Sequence, residues 1–172
     1  PQKGHISAVQ AMEVVVAQVP SAHLLIAGSG ELEGRLLSAA GPATDHVHLL
    51  GRREDIWELL ACCDVFCQPS LWEGCPYAVL EAAAAGCAIV GSDIPGIADL
   101  LEGGRCGWPV PARKSGALAE ALCEALGSPG ERERRAQGAA TLVSGDYTLE
   151  GMLSKTEELY EAVYTEMLEK RR

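Results

Sequence analysis

Short apolar runs that alternate with stretches of helical spacing restrict this chain more than any other feature. His23-Leu24-Leu25-Ile26-Ala27 ends in the glycine turn Gly28-Ser29-Gly30, and Val47-His48-Leu49-Leu50 closes at Gly51. Val65-Phe66-Cys67-Gln68, Ala88-Ile89-Val90-Gly91 and Gly107-Trp108-Pro109-Val110 continue in the same beat. Uninterrupted apolar strands have no solvent face, so they belong in a parallel sheet covered by helices on both sides. The segments between them supply those helices. Residues 5–18 place Ile6, Val9, Met12, Val15 and Val16 at helical spacing until Val19-Pro20 stops the run. Further helices are expected over 31–39, 54–61, 76–85, 115–126, 131–143 and, at the end of the chain, 148–172. The fold class expected is α/β, a doubly wound Rossmann-like parallel sheet whose ligands lie beyond the carboxyl ends of the strands.

With 172 residues the chain has the size of one domain, and 1–172 is read as a single unit. A net charge of −10 leaves no basic face for nucleic acid, so no nucleic-acid partner is expected. An anionic ligand would have to rely on local donors, a helix N-terminus and a few placed cations. The seven cysteines, Cys62, Cys63, Cys67, Cys75, Cys87, Cys106 and Cys123, contain no CxxC pair and read as reduced, mostly buried thiols of a cytoplasmic protein, not as zinc ligands or disulfides. No apolar stretch approaches the roughly 20 residues that span a bilayer. The excess of Ala and Gly over Lys fits a GC-rich bacterial gene. Pro1-Gln2-Lys3-Gly4 enters the first helix without a lead-in strand, so the natural protein is expected to continue upstream and the first strand of the sheet to be missing.

The richest stretch is Gln68-Pro69-Ser70-Leu71-Trp72-Glu73-Gly74-Cys75-Pro76-Tyr77-Ala78-Val79-Leu80-Glu81-Ala82. It joins a strand end, a Pro-Ser turn, a glycine beside an acidic residue, and a helix expected to open with Pro76 at its first position. Free N–H groups and the positive end of the helix dipole suit a pyrophosphate there, and Gly74 allows close approach. Two glutamates eight residues apart are, by themselves, only a solvated helix face with a cap.

With its flanks included, this stretch resembles the signature of glycosyltransferase family 4, retaining enzymes of the two-domain GT-B fold. The similarity runs along nearly the whole chain in the family's order. Gln2-Lys3-Gly4 is similar to a phosphate-contacting Lys-Gly element, Leu25 to Gly30 to the strand with its glycine turn, and Val47 to Arg52 to the strand that leads into the base pocket. Glu73 and Glu81 match two spaced acidic residues, and Gly86 to Val90, Pro95-Gly96-Ile97, Gly107 to Val110 and Tyr147 to Tyr164 match the family's later elements.

The resemblance implies the carboxyl-terminal, donor-binding half of an enzyme that moves a sugar from a nucleoside diphosphate to an acceptor hydroxyl. Lys3 would neutralise the pyrophosphate, and Gly74, Cys75 and Pro76 would hold phosphate or sugar oxygens. Glu73, the implied catalytic residue, would bind donor-sugar hydroxyls and Glu81 the ribose hydroxyls, with Gly4, Gly28, Arg52 and Leu80 completing the donor-binding set. No metal or other cofactor is implied, because cations and a helix dipole stabilise the departing diphosphate. The implied partner is an N-terminal acceptor-binding domain absent from this sequence, without which the fragment would be inactive. The implied location is cytoplasmic, with peripheral association of the full-length enzyme at the inner membrane left open. Three departures stand out. The family's arginine partner of Lys3 lies upstream of this sequence, Cys75-Pro76 replaces Phe-Gly, and Asp99 stands where glutamate is usual and receives no role.

Rival readings have less to stand on. A dinucleotide fingerprint would need glycine at position 33, which is Glu33, and an acidic residue about 20 positions on, near Leu50 and Gly51. A nucleotide-sugar epimerase would need an acid–base pair that the sequence does not offer, and a non-catalytic scaffold would not need Lys3, Glu73, Gly74 and Glu81 together. His5 is read as a cap or surface residue, and His23, His46 and His48 as ordinary strand-flanking residues. Trp57, Trp72 and Trp108 are read as core or pocket wall.

Overall fold

The computed structural model describes residues 2–170; Pro1, Arg171 and Arg172, the ends of the expected unit and of its closing helix, lie outside the described residues. The elements run α1 (His5–Gln18), β1 (Leu24–Ala27), α2 (Glu33–Ala40), β2 (Val47–Gly51), α3 (Ile56–Ala61), β3 (Val65–Gln68), α4 (Tyr77–Ala84), β4 (Ala88–Ser92), α5 (Ile97–Leu101), β5 (Trp108–Val110), α6 (Ser115–Gly127), α7 (Pro129–Asp146) and α8 (Leu149–Glu169). Short 3-10 turns occupy Gly41–His46 and Glu102–Gly104.

Every strand pairing is parallel, as the apolar runs required, with β1 beside β2, and β3, β4 and β5 side by side in that order. Among the described residues, however, these are two hydrogen-bonded groups and not one continuous ladder. A shared core holds them together. Ile26 and Val47 from one group, Ala88, Val90, Trp108 and Val110 from the other, and the inner faces of α1 and α6 form one buried cluster. On α1 that face is Ala8, Val9, Ala11, Met12 and Val15, the helical stripe read from the sequence. The opposite side of β3 and β4 is covered by α4, α5 and α7 through Val79, Ile89, Ile97, Leu101 and Ala139. β4 is therefore buried on both faces.

Several expectations are corrected. Helix α5 carries no periodic signal because it is only five residues long. Pro76 is not the first residue of α4 but the one before it, with ψ 84, and helical backbone begins at Tyr77. Only Cys87 and Cys106 of the seven free cysteines are buried, with Cys62 and Cys75 exposed, since a small side chain is tolerated in a half-wet position that a larger apolar one would vacate. Trp108 is core, but Trp57 is 57% exposed on the outer side of α3, a six-residue helix too short to bury a full turn on every side. Helix α8 keeps its apolar residues uncovered, from Leu149 to Leu168.

Close packing makes one glycine diagnostic. A Cβ on Gly107 would sit 2.6 Å from the Ile89 carbonyl oxygen and 2.5 Å from Leu101 Cδ2, whereas one on Gly116 in α6 would meet nothing within 4 Å. Gly107→Ala is expected to destabilise the fold by about 1–3 kcal/mol, the usual cost of overpacking. Gly116→Ala should leave it unchanged or gain up to about 1 kcal/mol of helix propensity. Urea unfolding midpoints at constant slope measure both.

Candidate functional site

The loop between β3 and α4 is built around the carboxylate of Glu73. Its side chain is only 7% exposed, so its charge has to be compensated locally. Oε1 accepts hydrogen bonds from Lys3 Nζ at 2.8 Å, Ser70 Oγ at 2.7 Å and Gln68 Nε2 at 3.1 Å. Gln68 Nε2 also donates to Ser70 Oγ at 3.0 Å, and both side chains are buried. Oε2 has only a long contact, 3.5 Å, from Gln2 Nε2, whose better acceptor is the Trp72 carbonyl at 3.1 Å. One oxygen of Glu73 is thus saturated by protein donors, while the other is available.

Burial pushes the Glu73 carboxyl upward. The hydrogen bonds from Lys3 and Ser70, the charge of Lys3 and the Gln68 amide outweigh it and hold the group below its ordinary value of 4.5. This is an ionised, acceptor-only carboxylate at neutral pH.

Two glycines fix the loop from either side. Gly4 has φ +64°, and a Cβ there would lie 1.9 Å from the Pro69 carbonyl oxygen; Gly96 has φ +84°, and a Cβ there would lie 2.5 Å from the Gly74 carbonyl oxygen. The Leu71 amide completes the clamp by donating to the Gln2 carbonyl at 2.8 Å. Asp99, given no role from sequence, accepts from the Gly96 amide at 3.3 Å and closes the start of α5. At the start of α4, the amides of Gly74 and Cys75 donate to no acceptor among the described residues. Cys75, Trp72 and Tyr77 are exposed around them, and Pro76 is buried beneath.

The structure thus brings together Lys3, Gly4, Glu73 and Gly74. Glu81 lies about one turn into α4, exposed, its side chain without a hydrogen-bond partner among the described residues. Gly28 ends β1 with φ +122°, its amide donating to the Gly51 carbonyl at 2.7 Å, and the exposed Arg52 follows β2. Neither Gly28 nor Arg52 is bonded to Glu73. Leu80 is half-buried and packs against the core beneath α4. Glu33, where a dinucleotide fingerprint needs glycine, turns its carboxylate back onto the Gly30 amide at 3.2 Å. Sequence reasoning missed Gln2, Gln68 and Ser70 as partners of Glu73. The signal was present in Gln68, a polar side chain ending an apolar strand, which needs a buried partner of its own.

Lys3, from the segment before α1, meets Glu73 in the loop after β3 of a parallel, helix-covered, Rossmann-like α/β fold. A family model described as "Glycosyl transferases group 1" matches residues 1–128. The phosphatidyl-myo-inositol mannosyltransferase of Mycobacterium leprae is 34% identical over 169 residues, covering 96% of this chain and 44% of that protein. Among solved structures, Staphylococcus aureus TarM, crystallised with UDP and an α-GlcNAc-glycerol, superposes with TM-score 0.85 at 19% identity over 93% of this chain and 33% of that one. The C-terminal domain of a glycosyl transferase group 1 family protein (LpcC) from Francisella tularensis superposes with TM-score 0.76 at 20% identity, over 86% of this chain and 81% of that one. The chain belongs to the group 1 glycosyl transferases, and it spans somewhat under half the length of the curated mycobacterial relative. The epimerase and scaffold readings gain nothing from these likenesses.

The Lys3–Glu73 pair predicts a pH signature. A carboxyl depressed in the folded state contributes stability that is present above its unfolded pKa and lost as pH falls through the folded one. Carbon-13 NMR titration of the Glu73 carboxyl should give a midpoint below 4.5, and Lys3→Ala should raise it. An unmoved midpoint in Lys3→Ala would show that Gln68 and Ser70 hold the carboxylate without Lys3.

Proposed function

We propose that this chain is the donor-binding half of a retaining glycosyltransferase and holds a nucleoside diphosphate sugar across the loop between β3 and α4. The observation that carries this reading is the asymmetric carboxylate of Glu73, saturated on Oε1 and available on Oε2. A carboxylate so held accepts from sugar hydroxyls without taking a proton. Lys3, half-exposed, swings from Glu73 to the pyrophosphate, and the amides of Gly74 and Cys75 take up further phosphate oxygens. Glu81 accepts from the ribose hydroxyls, while Gly28, Arg52 and Leu80 border the nucleoside. The negative charge that develops on the departing diphosphate meets Lys3 and the start of α4, so the transfer takes no metal or other cofactor.

Acceptor binding falls to a second domain outside this sequence, and transfer takes place in the cleft between the two. Two features support that division. The mycobacterial relative is more than twice as long as the part matched here, and α8 presents Met152, Leu153, Tyr160, Val163, Tyr164 and Met167 to solvent on one side. An upstream strand added between the unpaired edges of β1 and β3 would give the order β2-β1-new-β3-β4-β5, which is the doubly wound order 3-2-1-4-5-6. Location on the cytoplasmic side, where nucleotide sugars are available, belongs to the same proposal.

Calorimetric titration with UDP, GDP, ADP and dTDP, each alone and as a sugar conjugate including GDP-mannose, tests the reading. One nucleotide should bind saturably. Glu81→Ala should weaken the bare diphosphate by roughly 1–3 kcal/mol, the cost of unpaired hydrogen-bonding groups. Glu73→Ala should spare the bare diphosphate and weaken only the sugar-bearing donor. Equal losses for both ligands in both variants would refute the separate roles.

A further inference from the structure

Three of the four histidines gather at the amino-terminal ends of β1 and β2, where the proposed sugar-transfer chemistry has no use for them. The parallel register pairs Leu24 with Val47 and Leu25 with His48, so His23, Leu25 and His48 share the side of these strands turned away from the core that holds Ile26 and Val47. That side is open, with His23 exposed, His48 half-buried and Leu25 54% exposed. His23 Nδ1 and His48 Nε2 face each other at 3.0 Å. His46 stacks on His23 with ring centroids 4.9 Å apart and is itself tied through Nδ1 to the Ala22 carbonyl at 2.9 Å. The stack restricts how the His23 ring can turn.

Without a cation, the short contact requires a single shared proton between two ring nitrogens. With both nitrogens deprotonated, a separation of 3.0 Å is close to that of adjacent ligands at right angles around an ion, about 2.9 Å for metal–nitrogen bonds near 2.05 Å. We propose that His23 and His48 form a two-nitrogen chelate for a borderline transition-metal dication (Ni²⁺, Cu²⁺ or Zn²⁺), which releases the shared proton to solvent, sits to one side of the line between the nitrogens after both rings turn toward it, and clips β1 to β2. Imidazole pairs select these ions over Mg²⁺ and Ca²⁺, which prefer oxygen. No group of three or more His, Cys, Asp or Glu is disposed to hold a metal among the described residues, so the chelate is bidentate and water fills the remaining positions on the open side. His46 is a positioning residue here, because its stacking orients His23. The site is structural and lies at the amino ends of β1 and β2, whereas Glu73 follows the carboxyl end of β3.

Calorimetric titration of the chain with NiCl₂, against MgCl₂, tests the assignment. One Ni²⁺ per chain should bind saturably and Mg²⁺ should not, and bound Ni²⁺ should raise the thermal midpoint by mass action. His23→Ala and His48→Gln should each weaken Ni²⁺ at least tenfold, while His5→Ala keeps it and circular dichroism shows all three variants folded. Titration with Co²⁺ should give a spectrum without thiolate charge transfer, which separates the histidines from the seven cysteines. Absence of saturable Ni²⁺ binding, or binding that survives in both His23→Ala and His48→Gln, or a thiolate band with Co²⁺, would overturn the proposal.

Discussion

The complete burial of β4 is the constraint on which the rest of the structure depends. All five residues from Ala88 to Ser92 are buried, and their backbone groups are paired with β3 on one edge and β5 on the other. Ala88 and Val90 enter one core and Ile89 the opposite one, so the strand can neither slip by one residue nor rotate without exchanging its faces. Gly91 admits α5 at close range, since a Cβ there would meet Ile97 Cγ2 at 2.7 Å. The register then dictates where β3 ends. Gln68 lies opposite Gly91 and is buried, and its amide must find acceptors in the adjoining loop. The position of Glu73 is thereby inherited from the core.

Holding a carboxylate in so enclosed a place is costly unless its hydrogen-bonding capacity is met. The protein meets it on one oxygen with three donors of different kinds: a flexible cation, a hydroxyl and a fixed amide. Gln68 ends β3 and the buried Ser70 follows it, but Lys3 comes from the segment before α1 and is half-exposed. The two neutral donors therefore define where the carboxylate sits, and the lysine is the member free to change partners. Gly4 carries the same segment over the Pro69 carbonyl, where any side chain would collide. Cation and carboxylate are thus placed by one contact between two parts of the chain that are some 70 positions apart in sequence.

How much of this is legible in the sequence depends on where the information lies. The strands can be read almost residue for residue because each is a short apolar run between helical segments, although only β4 is buried on both faces, and α1 because its buried stripe is periodic. Lys3, Glu73 and Gly74 stand out as members of one motif-bearing set. Gln68, Ser70 and Gly96 do not stand out as their supports, because support depends on three-dimensional proximity that spacing does not encode. The same holds for His23 and His48, which are unremarkable in sequence and adjacent only through the parallel register. Trp57 misleads for a different reason: a large aromatic on a short helix is buried only if something covers that side, and local sequence carries no information on coverage.

Coverage also bears on α8. Its exposed apolar residues, including Leu149, Met152, Leu153, Tyr160, Val163, Tyr164 and Met167, recur at spacings of three and four and form one stripe along a straight helix. Such a stripe belongs against either a bilayer or a protein. Helices that lie on anionic membranes carry Lys and Arg along their polar side. Here that side carries Glu150, Glu157, Glu158, Glu161 and Glu166, with Lys155 as the one cation before the basic end of the chain at Lys170. Anionic headgroups would repel most of its length. The stripe is therefore a better match to an apolar protein surface than to an anionic bilayer.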